Sequence, residues 1–142
     1  MVRIHACEFF AVEVDYGDRR VEVVRSGRRF RTLQSFVAAV DDVLRAIEAN
    51  GAASFALLYD CRLAPSPASR AYKRAILHMV QHLARRFETV AFVLSSQAAI
   101  EDVLSQADRR IDFFTNPEAA KNAIRHQIES SRQPAFQARV GA

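Results

Sequence analysis

Two runs of consecutive apolar residues constrain this chain more than any other feature. Ser54 to Cys61 reads S-F-A-L-L-Y-D-C, and Thr89 to Leu94 reads T-V-A-F-V-L. Neither alternates with polar residues, so each suits a strand covered on both faces, the situation inside a parallel sheet. Between them Tyr72, Ile76, Met79, Val80, Leu83 and Phe87 recur at helical spacing. A strand, a crossover helix and a second strand make a βαβ unit, whose strands pair in parallel through a right-handed connection.

The flanking segments extend this unit on both sides. Cys7 to Val14 (C-E-F-F-A-V-E-V) and Arg20 to Arg25 (R-V-E-V-V-R) have strand character, and Tyr16-Gly17-Asp18-Arg19 between them is a turn signal. Leu33, Phe36, Val37, Val40, Leu44 and Ile47 form an amphipathic stripe, with Thr32 as its N-cap and Asn50-Gly51 as its stop. Ser66-Pro67 reads as cap and first helical residue of the second helix. Ser95-Ser96 opens a short helix with Ile100, Val103 and Leu104, and Ile111 to Phe114 is a short strand. Asn116-Pro117-Glu118 then starts a last helix that buries Ala120, Ala123, Ile124 and Ile128. The expected fold class is α/β: a small mixed, mostly parallel sheet with an N-terminal hairpin and four helices, ordered β-β-α-β-α-β-α-β-α. Residues 1–129 form a single domain in this reading, and 130–142 form a loose C-terminal tail unless Phe136 docks.

Composition excludes several classes. Half of the residues are apolar and a quarter charged, a globular balance that argues against extensive disorder. No stretch approaches the roughly 18 apolar residues of a membrane span, and Met1 to Glu8 lacks the apolar core of a leader. Cys7 and Cys61 both fall in strand-like segments and read as reduced core thiols of a cytoplasmic protein. The net charge of +4 is concentrated at Arg19, Arg20, Arg25, Arg28, Arg29 and Arg31. That stretch reads as a solvated hairpin edge protected by charge. It lacks an aromatic stacking platform, zinc-finger spacing and a helix-turn-helix, so nucleic acid is not an expected partner.

Candidate sites lie at the carboxyl ends of the parallel strands, where open α/β sheets collect ligands. Asp60 ends one strand, and the loop beyond it carries Arg62, Ser66, Ser69, Arg70 and Lys73 into the next helix, whose first N–H groups favour an anion. A pocket at the same end would be lined by Tyr59, Cys61, Arg62, Ser95 and Ser96. His78 and His82 have the i,i+4 spacing of metal ligands, but no Glu follows the first, and they lie off the apolar stripe. They read as surface histidines. No nucleophile elbow, P-loop or G-x-G-x-x-G is present. No catalytic residue, metal site or cofactor is therefore assigned, and the chain is read as a non-enzyme.

The element order, together with Leu57-Leu58-Tyr59-Asp60 and the serines after it, resembles the STAS-like superfamily, the small domains similar to bacterial anti-sigma-factor antagonists and the SpoIIAA-like group. In that family a strand ends in Asp and a phosphorylatable Ser opens the next helix, in a D-S-S-G or D-S-x-G setting. Counted from Asp60, this serine is Ser69, flanked here by Ala68, Arg70 and Ala71. The segment Asp112 to Ala120 is similar to the late strand-to-helix step of SpoIIAA-like domains. The resemblance covers residues 8 to 128. It implies a regulatory module of bacterial type that docks a protein partner through Asp60 to Lys73, with phosphate on Ser69 or Ser66 resetting affinity. Two other readings accompany it: a small-ligand sensor using the strand-end pocket, and a homodimeric scaffold.

Overall fold

Six strands, not five, build the sheet. The computed structural model describes residues 1–67, 69–104 and 112–140, with the side chains of 102–104 and 131–140 excepted. Ala68 and Ile111, and the side chains of Val103, Leu104 and Phe136, lie outside that set. In chain order the elements are β1 (Val2–Ala6), β2 (Phe10–Asp15), β3 (Arg20–Arg25), α1 (Leu33–Ala49), β4 (Ala56–Asp60), α2 (Arg70–Arg86), β5 (Val90–Val93), α3 (Gln97–Leu104), β6 (Asp112–Phe114) and α4 (Pro117–Val140). The strand absent from the sequence reading is β1. Its segment V-R-I-H-A alternates only weakly and forms an edge with no fully buried residue. The extended segment read from Cys7 is divided by a turn in which the Cys7 N–H donates to the Phe10 carbonyl (2.9 Å).

The strands follow one another across the sheet in sequence order. β1, β2 and β3 pair antiparallel, while β3, β4, β5 and β6 pair parallel, with β4, β5 and β6 each reached through a helix. Because every crossover steps in the same direction, a uniform handedness carries the helices to one face. α1 and α2 indeed share one core with Phe10, Val12, Val21, Val23, Leu57, Tyr59 and Phe92. Helix α4 covers the opposite face through Ala120 and Ile124, packed on Ala56, Leu58, Ala91 and Val93. The two continuous apolar runs are thus covered on both sides, as their composition required.

The central sheet position of β3 corrects the reading of the arginine-rich segment. It is not a solvated edge: Arg20 is 5% and Arg25 3% exposed. Arg20 is surrounded by Asp15 (3.7 Å), Asp18 (3.2 Å) and Glu22 (3.7 Å), as a buried cation requires. Arg19 lies over the Phe55 ring at 4.8 Å, and Arg28 pairs with Glu8 at 3.2 Å. Cys7 is exposed rather than a core thiol, because the turn at 7–9 lifts it off the sheet. Helix α4 continues to Val140, through the segment read as a tail.

Candidate ligand-binding site

Strand alternation decides which residues meet at the carboxyl ends. Successive side chains of β4 point to opposite faces. Leu57 and Tyr59 join the core under α1 and α2, with Cys61 packed beside them, whereas Leu58 joins the α4 side. Asp60 follows Leu58 in this alternation. The residues singled out near Asp60 therefore separate into two groups.

The first group is an ion pair. Asp60, 8% exposed, receives the backbone N–H of Arg62 on Oδ1 (3.2 Å). The Arg62 guanidinium grips both oxygens, Nε to Oδ1 at 3.0 Å and Nη2 to Oδ2 at 2.8 Å. Bonding to the Asp60 carboxylate holds the Arg62 guanidinium above its ordinary value. Both charges are consumed locally, so Asp60 and Arg62 anchor the start of the loop. Arg62 does not reach the pocket for which the sequence proposed it.

The second group lines a cavity of about 310 Å³ under that loop. Its floor is Tyr59, Cys61 and Phe92; Tyr72, Ile76, Met79 and Val80 of α2 form one wall, and Phe36 of α1 another. Ala64, Pro65, Ser66 and Pro67 roof it, and Ser95 and Ala99 close the side toward α3. Arg25 and Lys73 supply the positive groups. The size falls in the range of small-molecule pockets, which are largely apolar with a few polar groups. Aromatic rings continue beneath it: Tyr59 to Phe92 and Phe92 to Phe113, each at 5.6 Å between centroids. Of the residues expected at a pocket, Tyr59, Cys61 and Ser95 line it, and Ser66 and Lys73 join them from the loop-and-helix set. Ser96 instead caps α3, its hydroxyl accepting from the Ala99 N–H at 3.2 Å.

Helix α2 begins later than Ser66-Pro67 suggests. Ser69 is the N-cap, with φ −152° and ψ 164° in the extended region, and its hydroxyl accepts from the Tyr72 N–H at 3.1 Å. Either start gives the same apolar stripe, so periodicity does not separate them. The later start frees residues 64–67 to roof the cavity. Arg29 holds this roof in place by donating to the Ser66 carbonyl at 3.1 Å. Ser69 and Arg70 are exposed on the outer side.

Two groups within the cavity stay protonated at neutral pH. Burial, then the neighbouring Asp60 carboxylate, pushes the Cys61 thiol up to about 12. Burial likewise raises the Tyr59 hydroxyl well above its ordinary value. A thiol held protonated is a poor nucleophile, so Cys61 acts as a wall of the cavity. His78 and His82 are exposed, and no cluster of metal-ligating side chains occurs among the described residues. No helix among the described residues is long and apolar enough to cross a membrane.

A wider depression of about 900 Å³ opens at the other end of the strands, around Asp18, Arg19, Glu88 and Arg125. Asp18 there is bound by Arg20 and Arg125, each at 3.2 Å. The Arg20 and Arg125 hydrogen bonds hold the Asp18 carboxyl below its usual range.

Sequence reasoning missed Arg25 as a site residue. The available signal was its position at the carboxyl end of a strand, on the same alternating face as Val21 and Val23. Comparison with family models, with curated proteins and with solved structures returned no match to this chain.

Proposed function

We propose that this protein is a regulatory domain of STAS-like type that binds a small, mainly apolar ligand at the carboxyl ends of its parallel strands. The observation that carries this reading is the cavity beneath residues 64–67, walled by Tyr59, Phe36, Ile76, Met79, Val80 and Phe92. A space of about 310 Å³ between sheet and helix, lined mainly by apolar side chains with a few polar groups, has the size and character of a small-molecule pocket. With the Cys61 thiol held protonated and Asp60 bound by Arg62, binding rather than catalysis fits the polar groups nearby. A cytoplasmic setting accords with a chain whose only two cysteines are free thiols.

A second reading has one observation in its favour. Ser69 is exposed and caps α2, so a phosphate there would add about two negative charges at the start of a long helix without disturbing the core. In that reading the outer surface of the loop and α2, with Arg70 and Lys73, docks a protein partner.

The neutral fluorophore N-phenyl-1-naphthylamine tests the first reading. It should brighten and saturate with the wild-type protein, and Ala99→Phe, which places a ring in the cavity, should abolish the signal while the thermal transition remains cooperative. Equal binding by both proteins would refute the site.

A further inference from the structure

We propose that the ligand carries a single carboxylate on its apolar body, and that Arg25 is the residue that recognises it. This rests on the cavity being a binding site. Arg25 ends β3 on the cavity face, where Val23 pairs with Tyr59; the guanidinium thus stands one pleat beyond the tyrosine on the same side of the sheet. It is 3% exposed, and no carboxylate among the described residues comes within ion-pair distance of it. Its Nη1 donates to the Ser26 carbonyl at 2.6 Å and approaches the Ser26 hydroxyl at 3.4 Å. Nε and Nη2 make no hydrogen bond to any described residue, yet neither is sealed from solvent, unlike Nε of Arg20.

The contrast with Arg20 sharpens the point. Both arginines lie on β3 and are almost equally buried, but Arg20 has three carboxylates and Arg25 has three phenyl rings. The Arg25 guanidinium lies 4.6 Å from the Phe30 centroid, 5.7 Å from Phe10 and 5.8 Å from Phe9. Cation–π contacts offset part of its desolvation but neutralise no charge. The unused Nε and Nη2 form one edge of the guanidinium, the pair of parallel donors that holds a planar carboxylate at two points. Tyr59, also on the cavity wall, has a hydroxyl without a partner among the described residues and can donate to the same anion. Lys73, the other cation lining the cavity, is exposed, so one buried guanidinium is left to balance one negative charge, which favours a carboxylate over a phosphate dianion. The remaining walls accept an aromatic or medium-length acyl body.

Displacement of bound N-phenyl-1-naphthylamine by decanoate and by decanol at neutral pH tests this assignment. Water solvates a carboxylate more strongly than a hydroxyl, so apolar walls alone would favour decanol. With Arg25 engaged, decanoate should displace the probe at about one-tenth of the decanol concentration or less. Arg25→Met should remove that preference, and Arg25→Lys should keep only part of it. The ratio is read within each protein, so altered packing cancels. Decanol equal to or better than decanoate in the wild type, or a decanoate preference that survives Arg25→Met, overturns the assignment and leaves the cavity as a site for neutral ligands. A probe that fails to bind overturns the cavity itself. Should Arg25→Met not fold, the Nε–H resonance of Arg25 in the wild type decides. A shift with decanoate and none with decanol is expected; no shift with decanoate refutes the proposal.

Discussion

Ser69→Ala should destabilise this protein, and Ser66→Ala should not. The Ser69 hydroxyl is exposed, and its structural bond is the one it accepts from the Tyr72 N–H at 3.1 Å. Removing an N-cap acceptor of this kind costs about 1 kcal/mol, because a first-turn N–H loses its partner. For a chain of 142 residues, unfolding entropy of about 2.1 cal/mol/K per residue sums to roughly 0.3 kcal/mol/K, so the melting temperature should fall by about 3 °C. Among the described residues Ser66 is engaged through its carbonyl, by Arg29, and Ser66→Ala keeps that bond. That variant should stay within about 0.5 kcal/mol of the wild type. Ser69→Asp retains an oxygen acceptor and adds a negative charge at the helix start, so its stability should equal or slightly exceed the wild type. Thermal melts followed by circular dichroism, with urea titrations for free energies, separate these cases. A larger loss from Ser66→Ala than from Ser69→Ala would show that α2 starts at Pro67 and would refute the cap assignment. A loss with Ser69→Asp equal to that with Ser69→Ala would refute the capping energetics.

Three further outcomes follow from the site. Thiol labelling of the native protein should be biphasic, with exposed Cys7 reacting quickly and Cys61 slowly; two equally fast phases would mean that Cys61 is not protected. Because the Cys61 thiol is raised to about 12 in the folded chain, its contribution to stability is complete below the unfolded value near 9 and is lost as pH rises from there toward 12. The limiting slope is about 1.4 kcal/mol per pH unit, discounted for partial exposure, so urea titrations at pH 8 and pH 11 should show a smaller alkaline loss for Cys61→Ala than for the wild type. Arg62→Ala leaves the largely buried Asp60 carboxylate with one backbone N–H, and should cost about 1–2 kcal/mol in chemical denaturation. Adding Asp60→Asn should recover part of that loss; full additivity would show that the pair is not coupled.

The core of the fold was legible because the strongest sequence signals belong to its best-buried parts. The runs at 55–59 and 90–94 lie inside the sheet, and the α2 stripe faces them together with Phe36, Val40, Leu44 and Ile47 of α1, whereas Leu33 and Val37 of the expected α1 stripe turn outward, 42% and 50% exposed. What escaped notice was weakly buried or decided by tertiary position. The edge strand β1 has too little buried surface to impose a pattern on V-R-I-H-A. The arginines of β3 read as solvent-facing charges because composition does not reveal that β4 flanks that strand on its far side. The site was legible in part: its place at the strand ends, and Tyr59, Cys61 and Ser95, follow from sheet geometry. Arg25 did not follow, since its significance lies in the absence of a counter-charge, and a linear sequence does not display missing partners.

The separation of Asp60 from Tyr59 and Cys61 by alternation bears on how ligand and phosphate would act together. Among the described residues, the loop after Asp60 is held at its beginning, its middle and its end. Asp60 and Arg62 pin its beginning on the α4 side of the sheet, Arg29 holds its middle over the cavity, and the Ser69 cap fixes its end at α2. A ligand beneath the loop would press on Pro65, Ser66 and Pro67, which line the cavity, while a phosphate on Ser69 would act at the cap a few residues later. Both events would bias the same short segment, so the two proposed readings would be coupled rather than exclusive. Decanoate affinity should accordingly differ between the wild type and Ser69→Asp, and by reciprocity any partner that discriminates those two proteins should also discriminate ligand-bound from ligand-free protein. Identical decanoate affinities would mean that the loop transmits nothing, and would confine regulation to whichever of the two sites proves active.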